Sequence, residues 1–117
     1  MELSQQVVSL ELAKQLKELG FEQNSLFSWY HFTSEDKENG IKDEWKIASG
    51  SPTNNELSAY TVAELGLLIP IDYWNCQSRT MNNGFSFHYG DEEAVYAETE
   101  ADARAKLLID LKTNKLI

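Results

Sequence analysis

Two Asn-Gly dipeptides, each set beside a β-prone aromatic run, constrain this chain more than any other feature of its sequence. A tight two-residue hairpin turn needs positive φ at both central positions, and Asn-Gly tolerates that best. Before Asn39-Gly40 stands Leu26 to Ser34, with Phe27, Trp29, Tyr30, His31 and Phe32. Taking 39–40 as the loop pairs Ser34 with Trp45 and Phe32 with Ile47. That register sets Tyr30, Phe32, Trp45 and Ile47 on one face, as a half-buried strand pair requires. The second dipeptide, Asn83-Gly84, joins a strand over Ile71 to Arg79 to the alternating run Phe85-Ser86-Phe87-His88-Tyr89. With 83–84 as the loop, Phe85, Phe87 and Tyr89 share a face with Trp74 and Cys76. Ser86 and His88 then fall on the other face with Tyr73 and Arg79. An edge strand is expected over Glu93 to Glu98, and a short strand over Glu56 to Tyr60 after the polar loop Ser49 to Asn55.

Helices punctuate this pattern. From Leu10 to Leu19, Leu12, Leu16 and Leu19 recur at helical spacing with Ala13 beside them. Ser9 is placed to cap the first turn, and Gly20 to end the helix with Phe21 folding back onto Leu16. Thr61-Val62-Ala63-Glu64 reads as a capping box, stapled by Tyr60 and Leu65. The helix it opens is short, because Pro70 disfavours helical geometry at Ile69. Gly66 weakens it by about 1 kcal/mol relative to alanine. A last helix spans Glu100 to Asn114, with Thr99 and Asp102 at its N-cap and N3 positions and Ala101, Ala105, Leu108 and Leu111 as its buried stripe.

A chain of 117 residues, 42% hydrophobic and 25% charged, suits one domain with a single core, residues 1–117. Cys76 is its only cysteine, so no intrachain disulfide forms. The start, Met1 to Gln6, lacks the basic and apolar segments of a signal peptide. The apolar run Leu67 to Ile71 includes a proline and is too short to cross a bilayer. The expectation is a cytoplasmic protein with no membrane partner.

Chemistry-bearing constellations are weak. Cys76 could pair only with His31 or His88, and the hairpin register puts it on the aromatic face, away from His88. A buried structural thiol is the simpler reading. Two histidines without HExxH or CxxC spacing make no zinc site. The segment Asp36 to Gly40 resembles a calcium loop but has Ile41 and Ile47 where such a loop needs glycine and an acid. No phosphate-cradling glycine loop or nucleophile elbow is present. No catalytic, metal or cofactor-binding residue is therefore assigned, and no cofactor is expected.

Charge says more. Ten basic against nineteen acidic side chains leave a net charge of −9, which argues against direct nucleic-acid binding. The acids are bunched: Asp91, Glu92, Glu93, Glu98, Glu100 and Asp102 follow one another with no intervening base. Glu100 and Asp102 suit the start of the last helix. Asp91, Glu92, Glu93 and Glu98 form a candidate partner-binding acidic face, whose partner would be basic.

Two stretches carry a resemblance. Ser58-Ala59-Tyr60-Thr61-Val62-Ala63-Glu64-Leu65-Gly66 is similar to an "S-A-P-T-x-A-E-L-G" segment, and Glu98 to Ile109 to a "T-E-A-D-A-R-A-K-x-L-I" helix. Both belong to small uncharacterised proteins encoded by phages, prophages and mobile elements of gut Bacteroides-type bacteria. Ser9 to Phe21 fits the same pattern, and Tyr60 stands where that pattern often has proline. The resemblance implies a mobile-element accessory protein and no particular activity.

The expected fold is α+β: an antiparallel sheet of five or six strands, two main helices packed on one face, and one short extra helix. The expected function is a non-enzymatic interaction module binding a basic host or phage protein. An acidic DNA mimic that inhibits a nucleic-acid-binding host protein is the alternative, and a small hydrolase comes third.

Overall fold

The structure, a computed structural model, describes residues 2–36, 40–53, 55–69, 78–81, 84–89, 92–115 and 117. The chain begins with a single helical turn, α1 (Leu3–Gln6), followed by α2 (Leu10–Glu18). Leu12, Ala13 and Leu16 of α2 are buried and Leu19 is half-buried, as helical spacing dictates. Its end is a Schellman motif: Phe21 N–H donates to the Leu16 carbonyl and Gly20 N–H to that of Lys17, with Gly20 at φ +90°. Ser9 occupies the N-cap position, but its hydroxyl makes no capping bond. Its backbone N–H donates instead to Asp102 Oδ1, at 2.7 Å.

A long hairpin follows, β1 (Phe27–Asp36) and β2 (Gly40–Ser49). Asp36 faces Gly40, so three residues separate the strands rather than two. The register departs from the expected one by three positions: Trp29 faces Ile47, His31 faces Trp45, and Phe32 faces Glu44. An odd slip exchanges the two faces of a strand. Tyr30 and Phe32 therefore lie opposite the Trp29, His31, Trp45 and Ile47 face, instead of sharing one with Trp45 and Ile47. Tertiary packing explains the choice. Trp29 packs against the core and its indole N–H donates to the Val8 carbonyl at 2.9 Å, whereas Phe32 stays 40% exposed. Burying an indole is favourable when its N–H finds a partner.

β3 (Leu57–Ser58) adds to β1 through Ser28↔Ser58 and Trp29↔Leu57. It runs into the capping box of α3 (Val62–Leu68), where Thr61 Oγ1 accepts from Glu64 N–H and Glu64 Oε1 accepts from Thr61 N–H. Tyr60 and Leu65 are both buried, as a staple requires. The helix stops at Ile69, whose backbone is extended (φ −74°, ψ 122°) ahead of Pro70.

The second hairpin pairs β4 (Ser78–Met81) with β5 (Gly84–Tyr89), and β6 (Glu92–Ala97) lies along β5. Met81 faces Gly84, so the loop is 82–83 and the register differs from the expected one by two positions. An even slip preserves the faces. Phe85 and Phe87 still share one, with Ser86 on the other, and Val95 and Ala97 of β6 join the phenylalanines across the ladder. Between Phe87 and His88 the register shifts, leaving Ala94 as the extra residue of a bulge. Tyr73, Trp74 and Cys76 lie outside the described residues.

These strands do not form the single sheet of five or six that the sequence suggests. They form two antiparallel sheets of three, ordered β2-β1-β3 and β4-β5-β6. The N-terminal segment joins the chain just beyond β3. Val7 bridges to Thr61 and Val8 N–H donates to the Tyr60 carbonyl, occupying the place beside the β3 extension. Among the described residues there are also two short helices, α1 and α3, instead of one.

α4 (Glu100–Thr113) is the centre of the molecule rather than a cover on one face. It packs against β5 and β6 and also against α2 and α3. Ala101, Ala103, Ala105, Leu107, Leu108 and Leu111 are all buried, an arc of about 200° at 100° per residue. Alanines on its first turns allow the close approach of neighbours on both sides. No helix among the described residues is long and apolar enough to cross a membrane.

Candidate functional site

The acidic segment is a strand and a helix start, not a loop. Glu92 and Glu93 stand on β6 opposite Tyr89 and His88, and Asp91 lies outside the described residues. Glu98 follows the strand and is exposed, and the neighbouring Tyr96 is 41% exposed. Thr99 then caps α4, its hydroxyl accepting from Asp102 N–H at 3.2 Å.

The other two acids are engaged. Glu100 Oε1 takes the Arg104 guanidinium at 3.0 Å, one helical turn on. Asp102 does not reach back to its own cap but holds the Ser9 N–H, tying the start of α4 to the start of α2. This role was not legible in the sequence, because the partner is 93 residues away.

Glu98, Thr99 and Glu100 line a recess of about 180 Å³ together with Gln5, Val62 and Phe85. Its lining combines the acids Glu98 and Glu100 with the apolar Val62 and Phe85. Such a recess suits an aliphatic stem carrying a cation, the shape of a lysine or arginine side chain.

A wider depression of about 700 Å³ lies on the first sheet, lined among others by Ser28, Tyr30, His31, Ala48 and Glu56. Its polar groups serve the loop after β2. Ser51 Oγ donates to Asn24 Oδ1 and the Ser25 carbonyl lies 3.0 Å away, while Thr53 Oγ1 donates to Glu56 Oε1 at 2.7 Å. That hydroxyl, chiefly, holds the Glu56 carboxyl below its ordinary pKa. His31 is exposed, and its ring lies tilted against that of Trp45, centroids 5.2 Å apart. His88 is described only as a backbone position of β5, and Cys76 not at all, so the cysteine–histidine pairing falls outside the described residues. Among those residues no group of three His, Cys, Asp or Glu side chains is gathered to hold a metal ion.

Comparison with protein-family models, with curated proteins and with solved structures returns no match.

Proposed function

We propose that this chain is a non-enzymatic interaction module whose partner is a basic protein, a lysine or arginine of which enters the recess beside Glu98. The observation that supports this reading is the recess itself, lined by exposed Glu98 and Arg104-paired Glu100 together with Val62 and Phe85. The stem of the entering side chain buries its methylenes on Val62 and Phe85 while its charge meets Glu98. Glu92 and Glu93, on the strand leading to the recess, and Asp91 before them extend the negative field that steers a basic surface toward it. In this reading the partner is a host or phage protein.

The test is affinity capture from a bacterial host lysate, followed by association kinetics with the purified partner. Glu98→Gln is expected to weaken binding, and the triple variant Glu92→Gln, Glu93→Gln, Glu98→Gln to slow association at low salt. Thermal stability should barely change, since exposed charges contribute little to folding. An unchanged association rate for the triple variant overturns the proposal. Displacement of the captured protein by duplex DNA would assign the acids to imitation of a phosphate backbone instead.

A further inference from the structure

β2 is the outer strand of the first sheet, and among the described residues no strand pairs with its free edge over Gly40–Ser49. An edge of ten residues is a template for another strand, and proteins normally shorten, bulge or cover such edges. Here there is no bulge in the β1–β2 register. The edge carries charges instead, and their order is informative.

In a strand, alternate residues direct their N–H and C=O groups to the same edge. Two copies of one edge can therefore pair antiparallel only in registers where paired residue numbers sum to an even value. The even registers differ sharply. A sum of 88 sets Lys42 against Lys46 and Glu44 against itself, and sums of 84 and 92 set Lys42 or Lys46 against itself. A sum of 86 matches Lys42 with Glu44 but opposes Asp43 to Asp43. A sum of 90 sets Glu44 against Lys46 twice, by symmetry, and Trp45 against Trp45, with no like charges directly opposed. It also engages residues 41 to 49, as long an overlap as any of these registers reaches. Like charges directly opposite destabilise a strand pair and opposite charges or aromatics stabilise it.

We propose that the β2 edge is a homodimer interface, in which two copies pair antiparallel about Trp45 to make a continuous six-stranded sheet. Glu44 and Lys46 are both exposed, and Lys46 Nζ lies 4.6 Å from the Phe32 ring centroid. Glu44 faces Phe32 and Lys46 faces Tyr30 across the hairpin, so the two charges share one surface of the sheet. Trp45 lies on the other surface, with the Lys14 ammonium 5.3 Å from its ring centroid. The same charges that favour the dimer disfavour slipped registers and open-ended stacking, because a two-fold axis through Trp45 uses up the edge.

Sedimentation velocity over a concentration series tests this, at about 0.15 M salt, where the Debye length of about 8 Å screens the repulsion between two net-negative chains. A single strand pair falls at the small end of specific interfaces, so a reversible monomer–dimer equilibrium is expected. Glu44→Lys alone and Lys46→Glu alone should each weaken dimerisation about tenfold or more, since each turns two attractive pairs into repulsive ones. The double variant should dimerise like the native chain. Mixing the two single variants should produce a heterodimer, because each then supplies the charge the other lacks. The proposal is overturned if the native chain remains monomeric throughout. It is equally overturned if the single variants dimerise unchanged, or if the double variant and the mixture fail to restore the dimer while retaining native circular dichroism.

Discussion

At the scale of single residues, Gly66 shows how a local cost is offset elsewhere. A β-carbon added there would collide with Arg104 Nη1. The guanidinium occupies that space while Nη1 donates to the Val62 carbonyl at 3.0 Å and Nη2 pairs with Glu100. Gly66→Ala should therefore fail to deliver the helix-propensity gain of about 1 kcal/mol that alanine normally brings. In an Arg104→Met background the gain should reappear, and urea denaturation of the native chain and the three variants measures both. Tyr60 sets a pH limit at the same scale. Burial, foremost, raises its pKa above the ordinary 10, and its hydroxyl donates to the Glu22 carbonyl. The folded state thus holds the phenol proton more tightly than the unfolded state does. That contribution is complete below pH 10 and is lost as pH rises through the raised value. Tyr60→Phe should flatten the fall in stability as pH rises above about 10, as followed by chemical denaturation.

Among the elements, helix ends do more than terminate helices. Thr99 caps α4 locally, so Thr99→Ala should cost about 1 kcal/mol, the usual value of a lost cap. Asp102 acts between elements, accepting the part-buried Ser9 N–H. Asp102→Ala leaves that donor without its acceptor and should cost more, about 1–3 kcal/mol. Equal losses in thermal unfolding would mean that the bond between α4 and α2 contributes nothing beyond the cap. The two hairpins make a further contrast in their slips. β5 slipped by two and kept Phe87 in the core, at 5% exposure, whereas β1 slipped by three and put Phe32 on the surface. Gly84 illustrates the mechanism: it enters β5 as a strand residue, with the Ala97 carbonyl only 2.7 Å from where its β-carbon would be. Close approach, rather than turn geometry, demands glycine there.

For the whole molecule, the radius of gyration is 15.6 Å, against about 13 Å for a compact chain of this length. Its extents are 56 × 31 × 22 Å. The main packing of β2 is on β1 alone, and that of β1 on β2 and β3, where β3 reaches only Ser28 and Trp29. The core instead gathers α2, α4, β5 and β6 with Val8, Leu57, Tyr60 and Leu65. Two regions of unequal stability follow. Amides of β1 beyond Phe32 should exchange with solvent well before those of α4, in native-state hydrogen exchange by mass spectrometry. Leu108→Ala, at a fully buried position, should cost about 2–5 kcal/mol in global unfolding. Pairing of β2 with a second copy would protect the arm without altering α4, which gives the proposed dimer a second signature.

Local chemistry determined a large part of this protein. The capping box at Thr61, the Schellman end at Gly20, the extended Ile69 before Pro70 and the alternation of Phe85, Ser86 and Phe87 each depend on residues within a few positions of one another. Each follows from propensity, sterics or strand geometry before any long-range contact forms. Tertiary structure decided what local chemistry left degenerate. Hairpin registers a few residues apart are nearly equal as turns, and the one adopted for β1 was selected by Trp29 reaching the Val8 carbonyl, 21 residues away. The division into two sheets of three and the seating of Val7-Val8 beside Tyr60 and Thr61 both join parts of the chain far apart in sequence. The recess beside Glu98 likewise needs Gln5, Val62 and Phe85, three residues from three parts of the chain that only a folded core brings together.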